Sequence, residues 1–268
     1  MKAYPRPASV DRLLQPQQTQ VSSGNYVSRD RGEGIEFADL RPFAPGDRIR
    51  RVNWRASARR GELWVNEYHP ERNADVVVFL DTFAEAADGD GSTLDLGVRA
   101  ASAFVSHYLR HKDRVGFVAF GGRLNWLQPR TGVAQLYRIV DALVDAEVVL
   151  NYAWSDVDVI PRQTLPTKAL VVALSPLLDE RAVGALLDLR GRGFDLAVVE
   201  LSPVPFVAVG KSEVAQLAHR LWLLRREAVR ARFERAGVGV GTWDERTSVV
   251  GALEEVGAFR RYSARAHA

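Results

Sequence analysis

The sequence predicts an α/β protein: an open, mostly parallel sheet with helices on both faces, preceded by a small β-rich segment packed on it. Three observations carry this reading. From Ala74 onward, apolar runs of strand length alternate with stretches of helical periodicity, the pattern of βαβ units. The runs are continuous, not alternating, as in strands covered on both faces. Ahead of them, residues 26–72 are turn-rich and lack helical periodicity.

Taken in order, residues 1–25 read as a flexible linker. Tyr4-Pro5-Arg6-Pro7 and Gln15-Pro16-Gln17-Gln18-Thr19-Gln20 suit an exposed stretch, as if the chain continued from something longer. Residues 26–72 hold strand-like pieces at Ile35–Phe37 and Leu63–Tyr68. Between them, Arg41-Pro42-Phe43-Ala44-Pro45-Gly46-Asp47 forbids a helix interior and favours tight turns. The α/β domain spans 73–260. Strands are expected at Asp75–Asp81, Val115–Phe120, Leu124–Leu127, Ala169–Leu174, Leu196–Leu201 and Val238–Gly241, the second and third forming a hairpin across Gly121-Gly122. The hairpin places one antiparallel strand at an edge. Helices are expected where Leu94, Val98, Ala101, Val105 and Tyr108 recur, and over Val133–Ala146, Glu180–Arg190, Glu213–Arg235 and Ser248–Val256. The long helix Glu213–Arg235 puts Val214, Leu217, Leu221, Leu224, Ala228 and Ala231 on one face, with Arg226 and Arg230 on its polar side. Residues 261–268 read as a tail.

Composition narrows the chemistry. The 268 residues, 47% apolar and 26% charged, are ordinary for a globular chain. The absence of Cys excludes disulfides, thiolate nucleophiles and Cys-ligated metals, and fits a reducing compartment. No apolar run reaches the roughly 18–20 residues of a membrane span, and no secretory signal opens the chain, so as given it reads as soluble and cytoplasmic. Charge is uneven. Residues 1–72 hold 13 Lys and Arg against 9 Asp and Glu, and residues 73–268 hold 23 against 24. With 32 Arg and 4 Lys, the Arg excess reflects coding bias more than nucleic-acid recognition.

The stretch Gly34-Ile35-Glu36-Phe37-Ala38-Asp39-Leu40-Arg41-Pro42-Phe43-Ala44-Pro45-Gly46-Asp47-Arg48-Ile49-Arg50-Arg51-Val52-Asn53-Trp54-Arg55-Ala56-Ser57-Ala58-Arg59 resembles the signature of the bacterial "domain of unknown function 58" family. Its matching positions are Glu36, Phe37, Arg41, Pro45, Gly46, Asp47, Arg50, Trp54, Ser57 and Arg59, with Glu71 beyond them. The resemblance implies a Rossmann-type sheet similar to the von Willebrand factor A fold after the motif. It also implies association with a MoxR-type AAA+ ATPase, and often two membrane helices upstream, which would make this the cytoplasmic part of an anchored protein.

A von Willebrand A domain holds a divalent metal through Asp-x-Ser-x-Ser, a Thr and a further Asp. Here the first element reads Asp81-Thr82-Phe83-Ala84-Glu85, and Ser175-Pro176 stands where Ser-Asp is expected, with Asp179 following late. Asp81, Glu85, Thr131, Ser175 and Asp179 are therefore the candidate pocket. It is expected to bind a partner protein, or magnesium weakly, because too few hard oxygen ligands are left. The arginines from Arg48 to Arg60 contact an anionic lipid surface or an acidic partner, nucleic acid not being expected without a stacking platform or recognition helix, or else pair with Asp39, Asp47, Glu62, Glu67 and Glu71, which is expected for about half of them. Trp54 is expected to be buried between the signature segment and the sheet. No nucleophile elbow, P-loop or dinucleotide fingerprint is present, and no catalytic residues can be assembled. The reading is a non-catalytic interaction module acting with the ATPase on a protein client, the alternative a metal-dependent binder or enzyme at Asp81.

Overall fold

The computed structural model describes residues 13–14, 20–27, 36–149, 165–166 and 169–266, apart from positions 46, 70, 74, 90, 245 and 248. Two antiparallel pairs come first. Strand β1 (Gln20–Val27) pairs with β4 (Glu71–Asn73), and β2 (Glu36–Pro42) with β3 (Trp64–His69). The backbones of Glu36, Phe37 and Glu71 thus lie in strands, while Gly46 lies outside the described residues. Between β2 and β3 the chain makes a 3-10 turn at Ile49–Arg51 and a short helix, α1 (Trp54–Arg60).

Helix α1 was not legible in the sequence, because seven residues are too few to show a period. Its two ends explain it: Asn53 caps it by accepting from the Ala56 N–H at 2.9 Å, and Gly61 closes it in the left-handed conformation at φ 73°. The helix meets β3 through Ser57, whose hydroxyl donates to the Asn53 carbonyl at 2.9 Å and accepts the Trp64 N–H at 2.8 Å. Trp54 is not the buried anchor that the sequence predicts; it is 63% exposed. The packed aromatic is Trp64, half-buried under the Arg60 guanidinium at 3.9 Å from the ring centroid, beside the bridged and buried pair Val52 and Val65. Trp54→Ala should therefore change unfolding free energy by only about ±0.5 kcal/mol in urea melts, as an exposed substitution does.

The α/β part contains β5 (Asp75–Thr82), a two-strand flap of β6 (Ala87–Asp88) and β7 (Gly91–Ser92), α2 (Thr93–Arg110), β8 (Arg114–Gly121), β9 (Leu124–Arg130) and α3 (Val133–Val144). Then follow β10 (Leu170–Ser175), α4 (Glu180–Gly191), β11 (Asp195–Leu201), α5 (Glu213–Arg235), β12 (Gly239–Trp243) and α6 (Val249–Ala266). One six-stranded sheet has the order β12-β11-β10-β5-β8-β9, parallel throughout except for the edge strand β9. The expected alternation and the antiparallel edge hairpin are both present. Alternate residues of β5 feed two apolar clusters: Val76, Val78 and Leu80 face α2, α3 and α6, while Val77 and Phe79 face α4 and the end of α5. That two-sided burial is why the strand reads as an unbroken apolar run. Gly241 lets α6 lie against β12, since a Cβ there would stand 1.9 Å from the Ala252 carbonyl oxygen.

Within the stretch read as a linker, Leu14 is buried in the α2/α6 cluster, and the Tyr108 hydroxyl donates to its carbonyl at 2.8 Å. Helix α6 runs on through most of the residues read as a tail. The long helix α5 also departs from expectation. Arg226 and Arg230 face the sheet, and the Val214–Leu224 stripe faces out. Among the described residues, no helix is long and apolar enough to cross a membrane.

Candidate functional site

The chain leaves β5 toward β8 and β9, then crosses back to β10 on the other side of β5. Strand order reverses between β5 and β10, and in open parallel sheets ligand crevices form outside the carboxyl ends at that point. Asp81, next to last in β5, and Ser175, last in β10, meet there, the Ser175 hydroxyl donating to Asp81 Oδ2 at 2.5 Å. Asp81 Oδ1 accepts the Phe83 N–H at 2.9 Å, and Ser175 Oγ accepts the Leu177 N–H at 3.0 Å. Asp81 is 3% exposed, and burial pushes its carboxyl up to about 7. The bonds from Ser175 and Phe83 and the charge of Arg181 oppose that rise, while the neighbouring Asp179 charge adds to it.

Asp179 caps α4, accepting the Arg181 N–H at 2.8 Å, and its second oxygen takes the Arg181 guanidinium at 2.7 Å. These bonds hold its carboxyl below the ordinary carboxylate range. The same guanidinium lies over the Phe83 ring, 4.5 Å from its centroid, and Phe83 stands edge-on to Phe120 at 4.9 Å. Phe83 thus anchors the arginine that holds Asp179.

Glu85 is exposed and lines an open cleft of about 590 Å3 with Ser92, Asp95 and Glu147. Residues 146–148 reach this cleft because α3 returns the chain to the carboxyl edge. Gly122 admits them: a Cβ there would stand 2.1 Å from the Val149 carbonyl oxygen. Thr131 is not part of the constellation, contrary to the sequence expectation. Since β9 runs antiparallel, with Arg130 opposite Val115 and Leu124 opposite Phe120, Thr131 emerges at the amino end of the sheet beside the Asp75–Arg114 ion pair.

Sequence reasoning missed a second polar group beside the first. Glu200 in β11 is ion-paired with Arg226 of α5, and its other oxygen accepts from the Thr242 hydroxyl at 3.2 Å. Arg226 also donates to the Pro176 carbonyl at 3.1 Å, and Arg230 to the Val240 carbonyl at 2.9 Å. The network therefore braces the loop that follows Ser175. A signal for it existed: Glu200 interrupts the apolar run Leu196–Leu201, and a carboxylate in a buried strand requires a partner.

The donor set does not fit a hard divalent cation as arranged. Both Asp81 oxygens already accept hydrogen bonds, Asp179 is held by Arg181, and that guanidinium brings a competing positive charge. Among the described residues, no three His, Asp or Glu converge as metal ligands. In the signature segment, Arg41 grips Asp47 through two bonds of 2.6 Å, and Asp47 also accepts the Ala44 N–H at 2.7 Å, which fastens the Pro42–Pro45 turn. Arg50, Arg55 and Arg59 are exposed and make no ion pair among the described residues.

The family model described as "Protein of unknown function DUF58" matches residues 39–239. The chain is also similar to the uncharacterized protein YeaD of Bacillus subtilis (strain 168), at 36% identity over 50 residues that cover 19% of this chain and 13% of that protein. No solved structure matches it.

Proposed function

Because the chain belongs to the DUF58 family of proteins of unknown function, we propose that it is a non-catalytic protein-interaction module, a von Willebrand A-like domain with a degenerate metal site. We assign it the role of adaptor, acting with a MoxR-type AAA+ ATPase in the assembly or maturation of a protein client. One observation carries the non-catalytic reading: the buried carboxylate at the switch point, Asp81, is consumed by Ser175 and the Phe83 N–H, with Asp179 tied to Arg181. Such a group stiffens loops and leaves no free base, nucleophile or metal ligand there. The exposed surface above it, with Glu85 and Glu147, is the docking face in this reading.

The test measures binding of the full chain to the cognate ATPase by titration calorimetry. Glu85→Lys and Glu147→Lys should weaken binding by about tenfold or more, the loss expected when charges at a docking face are reversed, while leaving the melting temperature in place. Thr131→Lys, at the opposite end of the sheet, should leave binding unchanged. Loss of binding in Thr131→Lys alone would move the contact to the amino edge and end this assignment. A second reading, an anionic surface held by the arginine segment, is favoured by exposed Arg50, Arg55 and Arg59 around exposed Trp54. Under that reading, binding to vesicles containing phosphatidylserine would fall steeply with salt.

A further inference from the structure

Helix α5 has two faces with different occupants. One is committed to its own domain: Arg226 pairs with Glu200, Arg230 reaches the β12 backbone, Arg232 meets Glu180 at 2.7 Å, and Phe233 is fully buried. These contacts fix the helix's rotation. They turn the other face outward, so that Val214 is 78%, Leu217 58%, Leu221 56% and Leu224 58% exposed, with Ala228 exposed after them and Ala231 half-buried. Scattered exposed leucines are ordinary, but these are contiguous and evenly spaced. The intervals run three, four, three, four, three, which is the strict a/d spacing of a two-helix seam and narrower than the stripe of a helix that packs on a domain core.

We propose that α5 pairs antiparallel with α5 of a second copy of this chain, about a two-fold axis passing between Trp222 and Leu223. The sequence of the stripe is self-complementary in that arrangement. Leu221 meets the partner's Leu224, Leu217 meets the partner's Ala228, and Val214 meets the partner's Ala231. Each large side chain outside the centre then opposes a small one, and symmetry repeats all three layers, so the apolar surface closes without overpacking. The flanking charges nearest the centre favour one direction. In the antiparallel pair Arg220 lies beside the partner's Glu227, twice by symmetry, while Glu213 lies beside the partner's Glu234 at the ends, where Arg230 already offsets the Glu234 charge. In a parallel pair Arg220 faces the partner's Arg225, a like-charge contact. Val204, Val207 and Val209, all more than a third exposed in the loop leading into α5, add apolar surface at the helix's amino end. The contact uses a different face from the one assigned to the ATPase, so either assignment stands or falls without the other.

Sedimentation equilibrium of the full chain over micromolar to submillimolar concentrations reads the association. The wild type should dimerise, and Leu221→Lys should remain a monomer across the range with an unchanged circular dichroism spectrum and melting temperature at low concentration, because Leu221 is exposed in the isolated chain. Arg220→Glu should weaken dimerisation by about five- to tenfold, and Arg220→Glu with Glu227→Arg should restore it, two surface pairs being broken and remade. A native chain without cysteine allows a direct check of direction. A mixture of Leu221→Cys and Leu224→Cys chains should oxidise to the mixed disulfide dimer in preference to either homodimer. A wild type that is monomeric at all concentrations, a dimer unaffected by Leu221→Lys, or an Arg220→Glu variant that dimerises more tightly would each overturn the proposal.

Discussion

Arg226→Ala should cost about 3–5 kcal/mol in unfolding free energy, the range for removing one partner of a buried ion pair. Both side chains of the Arg226–Glu200 pair are only 10% exposed. Truncating the arginine leaves Glu200 inside the protein with the Thr242 hydroxyl as its remaining donor, and it frees the Pro176 carbonyl. For a domain of this size the melting temperature should fall by on the order of 10 °C. The cost arises from the uncompensated carboxylate and not from lost attraction, and a second variant separates the two. Arg226→Met combined with Glu200→Leu, which removes both charges and keeps the volume, should recover most of the loss. A single variant costing under about 1 kcal/mol would mean that Glu200 is solvated and that its pair with Arg226 does not brace the Ser175 loop.

The second large effect concerns pH. Burial holds the Asp81 carboxyl up to about 7 in the folded protein, whereas an unfolded aspartate titrates at about 3.9. Between these values the native state holds a proton that the unfolded chain has released. The unfolding free energy therefore declines as pH rises through this window: the contribution is fully present below about pH 4 and is lost as pH passes 7. Its full size is on the order of 4 kcal/mol. Urea melts of wild type and Asp81→Asn from pH 4 to 8 isolate it. The substituted amide does not titrate in this range and still accepts the Phe83 N–H, so the variant should gain on the wild type steadily as pH increases and exceed its stability at pH 8. A constant difference across the window would show that Asp81 is ionised throughout. Asp179, held low by Arg181, works with the opposite sign, and its contribution is lost as pH falls through the acid range.

Much of the architecture was readable along the chain, because strands buried on both faces must be apolar at every position. Val76 to Leu80, Leu170 to Leu174 and Leu196 to Val199 announced themselves for that reason. The alternation with helical periods then implied parallel pairing and a ligand edge at the carboxyl ends, which singled out Asp81, the Thr131 loop and the Ser175–Asp179 loop for that edge. Thr131 was misplaced by the same reasoning. It follows a strand, as Asp81 does, but the hairpin at Gly121-Gly122 reverses β9 and carries its end to the other edge. The signature segment was legible as a motif and not as a conformation. Asn53, Ser57 and Gly61 define α1 through individual hydrogen bonds, which leave no periodic trace.

By itself the sequence determined the class of fold and the order of the main strands and helices of the α/β part, which follow from periodicity, and the family, which follows from the individual residues of the signature. The tertiary structure alone decided which side of an amphipathic element is buried. Periodicity shows that α5 has an apolar stripe, yet it says nothing about whether the stripe or the arginines face the sheet. Glu200 settled that, because a carboxylate in a buried strand draws Arg226 inward, and the helix, rotating as one body, turns Val214, Leu217, Leu221 and Leu224 to the outside. Trp54 and Trp64 make the same point in the signature segment. Both are tryptophans among charges, and only the path of the backbone through Ser57 and Trp64 selected the one that packs.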